Sequence, residues 1–254
     1  MPVLAKIFIV SCTIFTLTGC ATMTGKDPFE TFNRNMYALN HDLDRAILKP
    51  LAETYQALTP VPVNKGVTNF FNNIDDVLVV VNDLLQFKFK QAASDTSRLF
   101  INTTMGVLGV IDVAKDFNLP KRYEDFGQTL GWWGFKSGPF LVLPFLGPSS
   151  VRDLIGRPVD SIADPRVYFR DEKYKNMFWA SSALRLVDMR ADLMKLEQVL
   201  DTSSIDNYSA IRDAYLQRRE YLIYDGNLPT TTREKIDEDF LFGDQPPNRK
   251  TPKK

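Results

Sequence analysis

The sequence has few of the residues that carry enzyme chemistry. Its 254 residues include two cysteines, Cys12 and Cys20, and one histidine, His41. Both cysteines lie within the first twenty residues, so the remaining chain offers no thiol for a disulfide, a zinc site or nucleophilic catalysis. We expect His41, on the polar side of a predicted helix, to be a solvated or hydrogen-bonded surface residue rather than a catalytic base.

Motifs for hydrolytic and nucleotide chemistry are absent as well. The chain contains neither a G-x-S-x-G nucleophile elbow nor a G-x-x-x-x-G-K-[ST] phosphate loop, and no ligand spacing for calcium. The adjacent carboxylates Asp75–Asp76 and Glu124–Asp125 do not form catalytic pairs, because neighbours in sequence do not face one site. We therefore predict no catalytic residue, no metal site and no cofactor: the protein is not an enzyme, and it binds, carries or conducts something.

The sequence also lacks an excess of charge and a long uninterrupted apolar run. Its 31 basic and 31 acidic residues cancel, which leaves no positive excess to attract nucleic acid. The apolar run Ile7–Leu17 is too short to span a bilayer, which takes about 20 apolar residues. The apolar segment Gly138–Pro148 is interrupted by prolines, so it predicts a core loop or a segment at a membrane interface.

The amino-terminal residues have the layout of a bacterial lipoprotein signal. Lys6 precedes the short apolar run, which ends in Leu17, Thr18 and Gly19 directly before Cys20. An apolar residue, two small residues and a cysteine resemble a lipobox, in which the cysteine thiol takes a diacylglyceryl group. An ordinary signal peptide with a chance cysteine is the alternative.

Four segments of the chain follow from this interpretation. Residues 1–19 are expected to be a signal peptide, and residues 20–28 a lipidated amino terminus and linker. Residues 29–225 are predicted to form one helical domain, and residues 226–254 a disordered tail rich in proline and charge. Ala21, in the position where an aspartate retains lipoproteins of this type at the inner membrane, favours the outer membrane.

An amphipathic helix is predicted over residues 29–49. The polar residues Asn33, Asn40 and Asp44 share one side of it, and we expect that side to face either a channel or solvent. Pro50 is expected to end the helix. The apolar stripe on the other side repeats at three- and four-residue steps and comprises Phe29, Phe32, Met36, Leu39, Leu43 and Ile47.

Further helices are predicted along the rest of the chain. Asp75 and Asp76 are expected to cap a helix over Val77–Phe87 after a break at Asn72–Asn73, although the β-branched run also permits a strand. A helix is also predicted over Ser94–Phe100, and a short helix capped by Ser149 or Ser150 is predicted to end at Leu154. Two more are predicted towards the carboxy terminus: Val167–Leu200, with an interruption near Ala180, and a last helix from Ser203 or Ser204 to Tyr224.

A short apolar stretch with two glycines follows the helix that ends near Phe100. It permits a tight hairpin with an exposed apolar tip, but the sequence alone favours a buried turn between helices. The residues of this predicted hairpin loop are Met105, Gly106, Val107, Leu108 and Gly109.

Taken in order, motifs along the chain resemble the VacJ/MlaA family of outer-membrane lipoproteins. The resemblance spreads over roughly Asp27–Tyr224, and it is specific because many short motifs recur in the same order. The residues that carry it are Asp27–Glu30, Phe32–Arg34, Met36–Tyr37, Asn40, Lys49–Pro50, Phe100, Asn102–Thr103, Gly106, Gly109, Ile111–Ala114, Phe126–Gly127, Thr129–Gly131, Gly138–Pro139, Leu143–Pro144 and Arg152–Asp153.

Membership of this family implies an all-α fold. Its members are ring-like single domains of amphipathic helices lying in the membrane plane, here followed by a longer carboxy-terminal helical part and a disordered tail. The resemblance also implies a central amphipathic channel, lined in this chain by Asn33, Asn40 or Asp44, with Met105–Gly109 as a mobile loop at its edge.

The same resemblance implies a function and its partners. Family members return misplaced phospholipids from the outer leaflet of the outer membrane to the periplasm, and so maintain lipid asymmetry. The implied partners are a trimeric porin and a soluble periplasmic lipid carrier. Three alternatives stay open from the residues alone: a lipoprotein that braces a porin, a phospholipase, and a lipid carrier with a closed pocket.

The signal interpretation predicts the chemistry of the mature amino terminus. Mass spectrometry of the exported protein should find residue 20 as the first residue, with its thiol carrying a diacylglyceryl group. An unmodified Cys20, or cleavage at another bond, would contradict the prediction. We also expect Cys20→Ala to disturb delivery to the outer membrane.

Overall fold

The computed structural model describes residues 27–169, 171–203 and 206–230. The predicted signal peptide, the lipobox residues Leu17–Cys20 and nearly all of the predicted disordered tail lie outside these ranges. Within them, no helix is both long enough and apolar enough to cross a membrane.

Helices make up most of the described chain, which confirms the predicted all-α class. One antiparallel hairpin is added to them, in which Phe140 pairs with Ser150 and Leu143 with Gly147. The elements in chain order are α1 (Glu30–Leu43), a π-helical turn (Asp44–Leu48), α2 (Lys49–Leu58), α3 (Val61–Leu85), α4 (Phe89–Thr104), a 3₁₀ turn (Ala114–Phe117), α5 (Phe126–Trp132), β1 (Phe140–Leu143), β2 (Gly147–Ser150), α6 (Val151–Ala163), a second 3₁₀ turn (Pro165–Phe169), α7 (Lys175–Ser203) and α8 (Asn207–Ile223).

The first predicted helix corresponds to three consecutive elements. α1 ends at Leu43, and a π-helical turn leads directly into α2. The expectation that Pro50 ends the helix is wrong. Pro50 lies in the first turn of α2, directly after the π-helical turn, and the fixed φ of proline suits a helix.

The predicted break at Asn72–Asn73 is also wrong, because α3 runs through it without interruption. Asp76 does not cap a helix: it is buried in the middle of α3, where Lys121 and Arg98 pair with its carboxylate. The helical prediction for Val77–Val81 is correct, and the strand alternative is excluded. The polar residues of this segment predict a break in the helix. No break occurs, because Asp76 is buried and its carboxylate is paired with cationic side chains.

The last two helices begin later than periodicity predicts, whereas α6 begins where the predicted serine cap places it. The side chain of Ser150 caps α6 by accepting a hydrogen bond from the Asp153 N–H at 3.2 Å, and that helix extends to Ala163. α7 starts at Lys175 and has no interruption near Ala180. The cap of α8 is Asp206, whose side chain accepts from the Tyr208 N–H at 3.2 Å, and not Ser203 or Ser204.

Polarity is distributed in an unusual way across this fold. Among the described residues, buried polar and charged side chains outnumber buried apolar ones. The apolar stripe of α1 is largely exposed: Phe29, Phe32 and Leu39 keep 43%, 49% and 41% of their surface accessible. A soluble protein rarely leaves so much contiguous apolar surface in water, so this surface is suited to contact with a lipid or protein partner.

One ion network joins three of the helices in the carboxy-terminal half. Arg219 of α8 donates to Asp125 at 2.5 and 2.8 Å and to Asp153 at 2.9 Å. Asp125 is the cap of α5, and Asp153 lies in the first turn of α6. Because Arg219 and Asp153 are both buried, removing one of them leaves an unpaired charge in the interior.

The network predicts a large loss of stability for Arg219→Ala. Breaking a buried ion pair from one side costs about 3–5 kcal/mol, because the remaining carboxylates lose their partner. The change in the free energy of unfolding can be measured in detergent by monitoring unfolding with circular dichroism. Arg218→Ala, on the exposed neighbouring position of the same helix, is the control and should leave stability within about 0.5 kcal/mol. Equal effects of the two substitutions would contradict the role of the network.

A buried group of carboxyls lies where α3 meets α4. Burial, together with the neighbouring Asp95 carboxyl, raises the pKa of Asp83 to about 8. Burial also raises the pKa of Glu124 to about 7, although Gln86 and Lys88 donate hydrogen bonds to it. The folded protein therefore holds protons that the unfolded chain releases near pH 4.

These raised pKa values predict that stability falls as pH rises. The native state binds more protons than the unfolded state between about pH 4 and pH 8, so the free energy of unfolding decreases through that window. Asp83→Asn keeps the acceptor for Gln91, whose amide donates to Asp83 at 2.9 Å, and removes the titration. The difference in the free energy of unfolding between pH 5 and pH 8 should be smaller for this variant than for the wild type. Asp116→Asn, at an exposed position, is the control and should leave the difference unchanged.

Candidate functional site

A polar cavity of about 430 Å³ lies between α2, α3 and α7. Its volume is within the range of small-molecule sites, about 300–1,000 Å³, but its walls are more polar than those of most such sites. Seven of the nine lining residues carry an amide, hydroxyl or charged group; the lining consists of Gln56, Thr59, Val61, Asn64, Lys65, Thr68, Asn69, Ala191 and Asp192.

The Asp188 carboxylate connects the three helices behind this cavity. It belongs to α7 and is only 2% exposed. Its Oδ1 accepts from the Tyr55 hydroxyl at 2.9 Å and from the Asn64 amide at 3.1 Å, and its Oδ2 accepts from the Thr68 hydroxyl at 3.0 Å. Gln56 adds a fourth contact by donating to the carbonyl of Ala191 at 2.8 Å. These hydrogen bonds fix the position of α7 relative to α2 and α3.

Two ion pairs hold α7 on either side of that contact. Arg190 binds Asp44 through two hydrogen bonds, of 2.6 and 2.7 Å, and so ties α7 to the π-helical turn. Arg185 binds Asp75 of α3, with one of the two hydrogen bonds at 2.8 Å. Periodicity predicts Leu184 on the buried stripe of α7, but it is exposed, because the buried side of this helix carries Asp188 and these arginines instead.

The predicted channel residues have other surroundings. Asn33 is 0% exposed, so its prediction as a channel-lining residue is wrong for this structure. Its amide donates to the Phe140 carbonyl at 3.0 Å and accepts from the Val142 N–H at 2.8 Å. It therefore satisfies the backbone of β1 as a neighbouring strand would.

Asn40 repeats the same contact further along α1. Its amide donates to the Leu143 carbonyl at 2.9 Å and accepts from the Phe145 N–H at 2.8 Å. Neither Asn40 nor Asp44 is among the residues that line the cavity. Both side chains are partly exposed, and their role in a channel stays a prediction.

The predicted hairpin loop has its apolar tip in the open. Met105, Val107 and Leu108 are each at least 60% exposed, and Val107 and Leu108 adopt left-handed backbone conformations, which is uncommon for such side chains. The segment is a turn between helices without strands, as the favoured alternative predicts, but its apolar tip is exposed rather than buried. The Asn69 amide, on the cavity wall, donates to the Val110 carbonyl at 3.1 Å. The loop therefore lies beside the cavity.

Both glycines of the loop are required by close packing. A Cβ at position 106 would lie 2.1 Å from the Ile111 carbonyl oxygen and 2.5 Å from that of Asn102. Gly109 has φ +89°, and a Cβ there would lie 2.4 Å from the Cβ of Asn73. We infer that the glycines hold the loop against α3 and α4, whereas the mobility implied by the family resemblance stays a prediction.

The cavity residues were not identified from the sequence, although a signal for them exists. Asn64, Lys65, Thr68 and Asn69 are spaced by one, three and four residues and form a polar patch on one side of the first turns of α3. Such a patch predicts a polar partner. The identity of that partner, α7, depends on tertiary packing that periodicity does not encode.

Comparison with known proteins identifies the family. A family described as "MlaA lipoprotein" matches residues 25–222. The chain belongs to the MlaA lipoprotein family. An Escherichia coli relative named "Intermembrane phospholipid transport system lipoprotein MlaA" is 34% identical over 229 residues, which cover 84% of this chain and 86% of the relative. A Haemophilus influenzae relative with the same name is 29% identical over 245 residues, covering 89% of this chain and 92% of the relative.

A solved structure shares the fold. It is described as "Structural basis for maintenance of bacterial outer membrane lipid asymmetry", and it aligns with a TM-score of 0.67 at 30% identity. The alignment covers 78% of this chain and 100% of the solved chain. The helical architecture is therefore that of the MlaA family.

The loop geometry predicts that Gly109→Ala is strongly destabilising. Left-handed backbone alone costs a residue with a Cβ about 1–2 kcal/mol, and the clash with Asn73 adds an overpacking cost of about 1–3 kcal/mol. Gly134→Ala is the matched control, because Gly134 has φ +91° and nothing within 4 Å of a Cβ. Hydrogen exchange of residues 105–111 should increase only in Gly109→Ala. Equal destabilisation in the two variants would contradict the packing role.

Proposed function

We propose that this protein is an outer-membrane lipoprotein that returns mislocalised phospholipids from the outer leaflet towards the periplasm. Two relatives that match most of the chain are named as lipoproteins of an intermembrane phospholipid transport system. The solved structure with this fold concerns the lipid asymmetry of the outer membrane. The predicted lipid anchor at Cys20 supports attachment to that membrane from the periplasmic side.

The observation that carries the proposal is a cavity lined largely by polar residues in a protein that exposes many large apolar side chains. Moving a phospholipid headgroup through hydrocarbon is costly because its charged groups lose water. The amides and hydroxyls of Asn64, Thr68 and Gln56 provide hydrogen-bonding groups that replace part of that water. The cavity thus supplies a polar route for the headgroup.

The exposed apolar side chains provide for the rest of the lipid. Leu58, Val61 and Val63, at the junction of α2 and α3, are between 55% and 77% exposed, and Val61 also lines the cavity. Acyl chains can stay on such a surface while the headgroup enters polar surroundings. This division fits the proposed ring of amphipathic helices lying in the membrane plane around a channel.

The proposed partners follow from the direction of transport. The chain has no nucleotide-binding loop, so directionality must come from lipid asymmetry and from the proteins that receive the lipid. A soluble periplasmic carrier would accept the phospholipid, and a trimeric porin would position the protein in the membrane. Both partners are proposals that rest on the family resemblance.

A structural lipoprotein that braces a porin is the second candidate. The exposed apolar surface favours it as well, since a protein partner covers such a surface as effectively as lipid does. The two candidates differ in their dependence on the cavity. A brace needs the outer surface alone, whereas transport needs the polar space between α2, α3 and α7.

Blocking the cavity separates the two candidates. Thr59 lines it at the end of α2, and Ala57 is exposed on the same helix without lining it. We expect Thr59→Trp, at normal protein levels, to raise outer-leaflet phospholipid towards the level of a deletion strain, because the indole fills the passage. Ala57→Trp should behave as wild type. Unchanged outer-leaflet phospholipid in Thr59→Trp would contradict transport through this cavity and favour a brace.

A further inference from the structure

The three amide side chains of the cavity lining all turn the same end towards the protein. Gln56 donates through its NH₂ group to the Ala191 carbonyl at 2.8 Å, and Asn69 donates to the Val110 carbonyl at 3.1 Å. Asn64 donates in the same way to a carboxyl group of α7 at 3.1 Å. Each amide nitrogen is therefore already bound within the protein.

Backbone carbonyls fix the orientation of two of these amides. Ala191 and Val110 offer only an acceptor oxygen, so the amide atom that faces each of them must be the nitrogen. The remaining polar atom is then the side-chain carbonyl oxygen. Within the described ranges of the chain, no donor binds Oε1 of Gln56 or Oδ1 of Asn64 and Asn69. Gln56 is exposed and the two asparagines are partly exposed, so a ligand can reach these three acceptors.

The hydroxyl of Thr68 adds a fourth acceptor to the same lining. Its proton is directed at the backbone carbonyl of Asn64, at 3.1 Å, and at Oδ2 of Asp188, at 3.0 Å. A hydroxyl has one proton and two lone pairs, so this oxygen can accept a hydrogen bond but has no second proton to donate. The polar groups that α2 and α3 offer here are thus mainly acceptors, whatever the charge of α7.

Two other lining residues are suited to a phosphate. A phosphate only accepts hydrogen bonds, and Lys65 carries an ammonium and Thr59 a hydroxyl that can donate to it. Asn69 follows Lys65 by one helical turn on the same side of α3. A headgroup whose phosphate lies at Lys65 therefore has its next chemical group close to the amide oxygens.

We propose that the cavity selects phospholipids by the hydrogen-bond donors of the headgroup. The group beyond the phosphate would donate N–H or O–H bonds to the amide oxygens of Gln56, Asn64 and Asn69, while the phosphate binds Lys65. This inference rests on the proposed transport function and deepens it, because it names the class of headgroup that the cavity accepts. The selection depends on donors and not on the net charge of the headgroup.

Two pairs of phospholipids separate donors from charge. Phosphatidylethanolamine and phosphatidylcholine are both zwitterionic, but only the first has N–H donors beyond the phosphate. Phosphatidylglycerol and phosphatidylethanol are both anionic, but only the first has hydroxyl donors there. A headgroup without donors displaces water from the amide oxygens and leaves them unpaired, which costs free energy.

Lipid competition on the full-length, lipidated protein tests the proposal. The protein is equilibrated with vesicles that contain equal amounts of the two lipids of one pair, with identical acyl chains. It is then re-isolated, and the retained lipid is counted by mass spectrometry. In each pair we expect the wild type to retain the lipid with donors roughly fivefold over the other, which is the effect of about one net hydrogen bond.

The two pairs also exclude selection by size or charge. The headgroup with donors is the smaller one in the zwitterionic pair and the larger one in the anionic pair. Selection by size would therefore favour phosphatidylethanol over phosphatidylglycerol, and selection by charge would leave the lipids of each pair equally retained. Either result would overturn donor selection and leave the proposed transport intact.

Substitutions at one amide test the assignment to the cavity. Gln56→Met removes an acceptor and should lower both preferences. Gln56→Glu loses the same bond to Ala191 but keeps acceptor oxygens, so it should retain both preferences. Gln217→Met, on α8 and outside the lining, is the matched control and should behave as wild type. Equal losses in Gln56→Met and Gln56→Glu would overturn the acceptor role.

The blocked cavity distinguishes failure of this proposal from failure of the transport route. Thr59→Trp should reduce the retention of every lipid in both pairs, because the indole fills the space that the headgroup needs. Lipid retention that this substitution does not reduce would overturn both proposals, because the lipid would then be bound elsewhere.

Discussion

The Asp188 carboxylate is the contact on which the geometry of the cavity depends. It accepts hydrogen bonds from α2 through Tyr55 and from α3 through Asn64 and Thr68, so one buried side chain sets the separation of three helices. The flanking ion pairs of Arg185 and Arg190 keep α7 in register with that contact. The cavity is open because these helices meet through polar groups rather than through interdigitated apolar side chains.

The same principle extends over the whole fold. Polar side chains and ion pairs connect the interior, while many large apolar residues remain on the outside. In water such an arrangement would lose the hydrophobic free energy that usually drives folding. In contact with lipid the exposed residues are in a favourable medium, and the interior hydrogen bonds are protected from competition by solvent. The distribution of polarity thus connects the fold directly to a membrane environment.

Periodicity predicts the helices better than it predicts their partners. The helical class, the Ser150 cap and the turn at the glycine-containing loop follow from local rules of spacing, capping and glycine content. Pro50 and Asn72–Asn73 mislead because burial and helix continuity override local breaking signals. The β1–β2 hairpin was not predicted, since its backbone is satisfied by Asn33 and Asn40, which lie about a hundred residues earlier in the chain. For the same reason the contacts of these asparagines with the hairpin backbone are not predictable from the sequence, and the channel role of Asn40 stays a prediction. The cavity depends on how α7 meets α3, which no local pattern specifies.

The central claim is that a phospholipid headgroup enters the polar space between α2, α3 and α7. Photocrosslinking tests it most directly: the protein in bilayer nanodiscs is illuminated with a phospholipid that carries a photoreactive diazirine in its headgroup, and the labelled residues are mapped by peptide mass spectrometry. We predict labelling of the residues that line the cavity, among them Gln56, Asn64 and Thr68. Labelling confined to the exposed apolar surface, with these residues unmodified, would contradict the account.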